Sequence, residues 1–179
     1  MRLLILFFLI AGLQLSCANS GTGQAPPKTV GKVNLEKFQG NWEVLALLPR
    51  ELEKGCVRNS ITFTLKTHRR LDVIDHCLGS EGKWRQFEGV IEPEEKQGTD
   101  KFIGKFNGSL LSVLRKERYW IIYLNGDYQV AMIGDPNFER LWLLARGSHP
   151  DKGTVDKMLL TARKQGYDVK PLIWHHPKP

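Results

Sequence analysis

The chain has 179 residues, of which 26 are Lys or Arg and 19 Asp or Glu, a formal balance of +7, with 41% hydrophobic and 25% charged residues. These values exclude a disordered chain, a collagen and a coiled coil, and the length suits one domain with a core of its own rather than two. Three cysteines are too few for a disulfide scaffold.

Residues 1–17 open with Met1-Arg2 and continue from Leu3 to Leu13 as an almost unbroken apolar run. That run is about half the ~20 residues a membrane-spanning helix needs, so it reads as a secretory signal peptide. Cys17 follows small Ser16 and resembles the acylated cysteine of a bacterial lipoprotein signal, with Gln14 where that pattern has Leu. Lipidated there, the chain would be held on a membrane, and Ala18 rather than Asp after the cysteine would imply delivery to the outer membrane. Cleavage after Ala18 is the alternative and would discard Cys17. Residues 18–32, rich in Gly, Ser and Pro, read as a flexible tether before a domain over 33–179.

Within that domain, residues 34–39 start a helical turn that Gly40 breaks. Eight strand-like runs follow, at 42–48, 57–65, 70–77, 83–91, 101–106, 118–124, 128–134 and 140–146. Turn signals such as Gly79-Ser80, Asn125-Gly126 and Asp135-Pro136-Asn137 separate them. Cys56 and Cys77 sit near the open end of the hairpin made by the second and third runs. An even pair in an exported chain favours a disulfide, with two buried thiols as the alternative, and a bond requires an irregular approach before the second strand.

A single helix comes last. Val155, Met158, Leu159 and Ala162 fall on one stripe, Thr154 is placed to cap its start, and Gly166 stops it. The strand spacing alone fits a sandwich, but one helix with one apolar stripe covers only one sheet face. The strands carry more large apolar groups than that face absorbs. An eight-stranded sheet closed on itself hides the remainder inside, in an interior wide enough for one small ligand. A solid aromatic core is the competing expectation.

Gly40-Asn41-Trp42 opens the first strand, Asp127-Tyr128 opens a late one, and Arg146 ends the last. In this order, with eight strands among them and a helix after, they match the three short motifs of the lipocalin family. Glu53-Lys54-Gly55-Cys56-Val57, Gly82-Lys83-Trp84, Asp127-Tyr128-Gln129-Val130-Ala131 and Leu141-Trp142-Leu143-Leu144-Ala145-Arg146 tighten the resemblance to bacterial outer-membrane lipocalins and their apolipoprotein D-like relatives. Gly126 and Glu43 depart from the family pattern, at positions whose chemistry the fold does not need.

The resemblance implies an all-β fold, an eight-stranded antiparallel up-and-down barrel with one C-terminal helix packed outside. It also implies that Gly40, Trp42, Asp127, Tyr128 and Arg146 close one end, with Arg146 on the Trp42 ring. Counting by two along the strands then proposes a ligand lining of Val44, Ala46, Phe63, Leu65, Val73, Trp84, Phe106, Trp120, Ile122, Ala131 and Leu143. So apolar a lining suits acyl chains.

The basic residues are interleaved with acids and make no nucleic-acid stripe. The densest group, Lys101, Lys105, Arg115, Lys116 and Arg118, is either a solvated surface or a collar for phosphate headgroups. Asn107-Gly108-Ser109 is a glycosylation sequon by pattern. No nucleophile elbow, zinc-protease helix, paired C-x-x-C or P-loop occurs. His175-His176 sits in a Pro-rich tail that offers at most stray metal affinity, so no cofactor or metal is expected.

The expectation is therefore a lipid-anchored outer-membrane protein, otherwise periplasmic or secreted. It would bind, store or transport a fatty acid or lysophospholipid without turning it over, with a homodimer left open. An isomerase-like enzyme on the same barrel, with Asp75 or Glu88 as base, and a structural envelope lipoprotein with a filled core are the alternatives.

Overall fold

Asn34 begins the described domain, its side-chain oxygen accepting the Lys37 N–H at 3.1 Å so that α1 (Leu35–Phe38) turns Leu35 and Phe38 inward. Eight strands follow: β1 (Gly40–Leu47), β2 (Cys56–Leu65), β3 (Leu71–Gly79), β4 (Trp84–Pro93), β5 (Lys101–Phe106), β6 (Glu117–Leu124), β7 (Val130–Gly134) and β8 (Leu141–Ala145). Helix α2 (Lys152–Gln165) and a short β9 (Ile173–Trp174) complete the order. The computed structural model describes residues 24–51, 53–106, 117–147 and 149–175. The signal peptide, Cys17, the first part of the tether, the Asn107 sequon, Arg115, Lys116 and His176 lie outside the described residues.

All neighbouring strands are antiparallel, in the order β2-β3-β4-β5-β6-β7-β8-β1-β9. Strand β1 closes the sheet by dividing its length. Gly40 to Glu43 pair with Phe63 to Ser60 of β2, while Glu43 to Leu47 pair with β8. The barrel is thus an eight-stranded meander, and β9 adds a ninth strand on Ala46 and Leu47. The sequence showed no sign of β9, which is two residues long.

One sheet with two covered faces makes two cores. Inside lie Phe38, Trp42, Phe63, Val73, Ile121, Ile133, Trp142 and their neighbours. Outside, the stripe Val155, Met158, Leu159 and Ala162 of α2 covers Ala46, Trp120, Ile122, Met132, Leu143 and Ala145. The helix starts one turn earlier than the apolar stripe suggests. Asp151, not Thr154, is the cap, and its carboxylate accepts from Thr154 N at 3.0 Å and from the Thr154 hydroxyl at 2.8 Å. Gly166 ends it with φ at 107°, a left-handed conformation that lacks a Cβ penalty only in glycine.

Cys56 and Cys77 are bonded, with Cα atoms 5.4 Å apart. The β2–β3 register sets Cys56 opposite Gly79, after a shift between Cys56 and Arg58. That irregularity brings Cys77 to the diagonal position, within disulfide reach.

Candidate functional site

The end of the barrel nearest α1 is shut. Trp42 is fully buried and its indole N–H donates to the Phe38 carbonyl at 2.8 Å. The Arg146 guanidinium lies 4.2 Å from the Trp42 ring centre. It also donates to the carbonyls of Tyr128 (3.0 Å), Lys37 (2.9 Å), Phe38 (2.6 Å) and Gln39 (2.7 Å). One side chain therefore ties the end of β8 to the β6–β7 turn and to α1. Gly40 is required beneath it, because a Cβ there would stand 3.0 Å from Arg146 Nη1, on backbone at φ 103°. Tyr128 adds its hydroxyl as acceptor for Asn34 N at 3.0 Å.

The second motif is placed differently from the sequence expectation. Asp127 and Tyr128 lie in the turn before β7, Tyr128 at φ 59°, instead of opening the strand. Asn125 organises that turn by accepting the N–H groups of Gln129 and Val130. The Asp127 side chain is exposed, and its carbonyl accepts from Gln129 Nε2.

Toward the other end the interior holds a small cavity of about 30 Å³, lined by Arg50, Ile61, Phe63, Val73, Asp75, Ile91, Phe106, Tyr119, Ile133 and Trp142. The rings of Phe106 and Trp142 flank Tyr119, each 5.6 Å from it, which makes the cavity a narrow apolar slot. A wider recess of about 440 Å³, open to solvent, lies beside the β1–β2 connection and shares Arg50 with the slot.

Of the eleven lining residues expected from the sequence, Phe63, Val73 and Phe106 line this cavity. Val44, Leu65 and Ala131 face inward within the same core without lining the cavity. Ala46, Trp120, Ile122 and Leu143 are corrections, since they lie on the outer face under α2. Counting by two from Trp42 fails at Ala46 because β1 bulges between Val44 and Ala46, so Leu47 takes the inward place. In β6 and β8 every residue between Tyr119 and Ile122, and between Leu141 and Ala145, is buried, so alternation carries no sign of facing. Trp84 is also a correction. It stands 56% exposed at the start of β4, on the side opposite Arg85, whose Nη2 reaches the disulfide sulfurs.

The sequence reading missed Arg50 as a lining residue, because it lies in a connection with no periodicity. Ile61 was recoverable by counting on from Phe63. Tyr119 and Trp142 are each one residue away from the positions chosen.

The polar end of the slot is a cluster of charges. Arg50 stacks on Trp142, 5.0 Å from its centre, and pairs with Glu53 at 3.1 Å and Glu117 at 3.5 Å. Arg140 reaches the other Glu117 oxygen at 3.4 Å, its position set by Asp135, which accepts the N–H groups of Glu139 and Arg140. Tyr119 donates its hydroxyl to Glu117 at 2.6 Å, and burial raises the phenol so that it stays protonated. Asp75, 6% exposed, accepts from Asn59 Nδ2 at 3.1 Å. Glu88, the other carboxylate considered as a base, is exposed on the outer wall. Lys101, Lys105 and Arg118 lie on the outer wall of β5 and β6, with Arg118 paired to Glu94 at 2.6 Å and Lys101 over Trp120, and so form no collar.

Burial pushes the Asp75 carboxyl up to about 7, with the Glu53 charge adding to the effect and the Asn59 hydrogen bond opposing it. Burial raises Glu53 as well. Between the ordinary carboxylate range and pH 7 the folded protein therefore holds a proton that the unfolded chain releases. Stability falls as pH rises through this window and levels off above it. At roughly 1.4 kcal/mol per unit, Asp75 costs at most about 4 kcal/mol at pH 8. Asp75→Asn is expected to flatten the pH dependence, stabilising the protein more at pH 8 than at pH 5. Urea titrations at the two pH values check this, and an equal effect at both would contradict it.

A barrel plugged at one end by a tryptophan and an arginine, and open at the other into an apolar slot, defines a cup-shaped binding protein. The chain belongs to the lipocalins: the family described as a lipocalin-like domain matches residues 33–177. Members of this family typically bind small hydrophobic molecules. The chain is 29% identical over 149 residues to temperature-induced lipocalin-1 of Arabidopsis thaliana, covering 81% of this chain and 80% of that one. It is 28% identical over 157 residues to the outer membrane lipoprotein Blc of Escherichia coli (strain K12), covering 83% and 84%. Insecticyanin of the tobacco hornworm Manduca sexta shares the fold, with a TM-score of 0.66 at 18% identity over 84% of each chain.

Proposed function

We propose that the protein carries a fatty acid, lysophospholipid or similar amphiphile in the barrel slot, without turnover, while anchored at the outer membrane through Cys17. The observation that carries this reading is the apolar slot itself, closed at the Trp42 end and open beside the β1–β2 connection. Burying a methylene stabilises by about 0.8 kcal/mol, so micromolar binding, about 8 kcal/mol, asks for about ten buried methylenes, a whole acyl chain that occupies the slot and its mouth together. The likeness to an outer membrane lipoprotein supports the anchor and the envelope location.

Titration with a fluorescent fatty acid is expected to give saturable micromolar binding. Val73→Leu, which adds one methylene to the slot wall, should weaken the binding while the melting temperature changes little. Absence of saturable binding by the parent protein would leave the filled-core reading standing. Mass spectrometry of co-purified lipid is expected to show an unchanged amphiphile, and a converted product would overturn carriage without turnover. For the anchor, cells fed radioactive palmitate should label the parent protein but not Cys17→Ala. Equal labelling of both would remove Cys17 from that role.

A further inference from the structure

The polar end of the slot has an imbalance between donors and acceptors. Its cationic donors and its hydroxyl are engaged: Arg50 with Glu53 and Glu117, Arg140 and the Tyr119 hydroxyl with Glu117. The indole N–H of Trp142 is the one buried donor there without a hydrogen-bond partner among the described residues. Acceptors remain. Asn59 is 1% exposed, and its side-chain oxygen has no hydrogen-bond partner among the described residues. Asp75 beside it lines the slot, and among the described residues it takes part in no salt bridge, whereas Glu53 and Glu117 are each paired with arginine.

The groups around Asp75 do not remedy this. From β2 it meets Asn59. From the β1–β2 connection Glu53 and Arg50 act on it, and the repulsion from Glu53 exceeds the attraction of Arg50. From β4 its register partner is Phe87, and Arg85, one inward position along, is turned to the disulfide and the Lys54 carbonyl. A buried carboxylate whose only hydrogen-bond donor among the described residues is a neutral amide is costly to leave so, and a ligand in the slot that brings a donor to Asp75 relieves it.

We propose that Asp75, held by the Asn59 amide, is the polar subsite of the slot and selects a ligand whose buried polar group is a hydrogen-bond donor, an amine or a hydroxyl on an apolar body, against a free carboxylate. The proposal rests on the reading that the barrel carries a lipophilic molecule, and it narrows that reading away from ionised fatty acids. An ammonium placed there gains a charge-assisted hydrogen bond and neutralises the carboxylate that lacks a cation, and a hydroxyl gains the hydrogen bond alone. An ionised carboxylic acid brings a further negative charge and no donor.

The test is displacement of the uncharged probe N-phenyl-1-naphthylamine by dodecylamine, dodecanol and dodecanoate, which share one chain and differ in the terminal group. At pH 8, where Asp75 is largely ionised, dodecylamine is expected to displace the probe at a concentration about tenfold or more below that of dodecanoate, with dodecanol between them. In Asp75→Asn the amine should lose its advantage over dodecanol, while the variant melts no lower than the parent at pH 8. Dodecanoate equal to or tighter than dodecylamine on the parent protein, or an unchanged order in Asp75→Asn, overturns the proposal while leaving carriage intact. No saturable binding of the probe or of any of the three overturns carriage and this subsite together.

Discussion

Replacing Trp42 with alanine is expected to cost about 3–5 kcal/mol of folding stability, the range for truncating a large aromatic in a packed core. Trp42 is fully buried, lies tilted against Phe38 with ring centres 5.2 Å apart and donates its indole N–H to the Phe38 carbonyl, so truncation leaves a cavity where three chain segments meet. Its removal also strips Arg146 of the ring beneath its guanidinium. Arg146→Ala is expected to cost about 2 kcal/mol or more, since cation–π and charged hydrogen bonds are lost together. Arg146 takes no part in the slot lining, whereas Trp42 pairs with the slot residue Ile61 and shares contact with Phe38, whose ring also lies 5.2 Å from that of Phe63. Ligand affinity per folded molecule should therefore stay nearly unchanged in Arg146→Ala, the variant that tests the plug assignment. Thermal melts with parallel binding titrations measure both quantities, and a selective loss of affinity at unchanged stability would refute the plug assignment.

The second large effect concerns the disulfide. Cys56 and Cys77 are 21 residues apart, and releasing a loop of that length should cost about 3 kcal/mol through the unfolded state's regained entropy. The bond also pins the end of the β1–β2 connection, which carries Arg50 and Glu53, to β3. Cys56→Ser with Cys77→Ser is thus expected both to lower the urea midpoint and to weaken ligand binding beyond what the unfolded fraction explains. A reductant should reproduce the shift in the parent protein and leave the double variant unaffected. A midpoint insensitive to reduction would show that the bond contributes nothing to the mature fold.

Legibility in the sequence followed solvent exposure. Strands β2 and β3 have water on their outer face, so their apolar residues alternate with polar ones, and Phe63, Leu65 and Val73 could be assigned inward by counting. Strands β7 and β8 are buried along their whole length because α2 covers the face that would otherwise be polar. There Leu143 and its neighbours look alike whichever way they point. The bulge in β1 defeated the count for a different reason: an extra residue shifts everything after it, and nothing in Val44-Leu45-Ala46 announces it.

By itself, then, the sequence determined the family, the number and order of the eight main strands, the late helix with its apolar stripe, and the pair Trp42 and Arg146 that shuts the barrel. Each of these is written in local periodicity or in short motifs. Only the tertiary structure decided which apolar residues line the slot and which sit under the helix, because that depends on closure, bulges and what covers each face. It alone also brought Arg50, Glu53, Asn59, Asp75 and Glu117 to one end of the slot. These residues come from a loop and three strands, and no spacing along the chain encodes an encounter that closing the sheet creates.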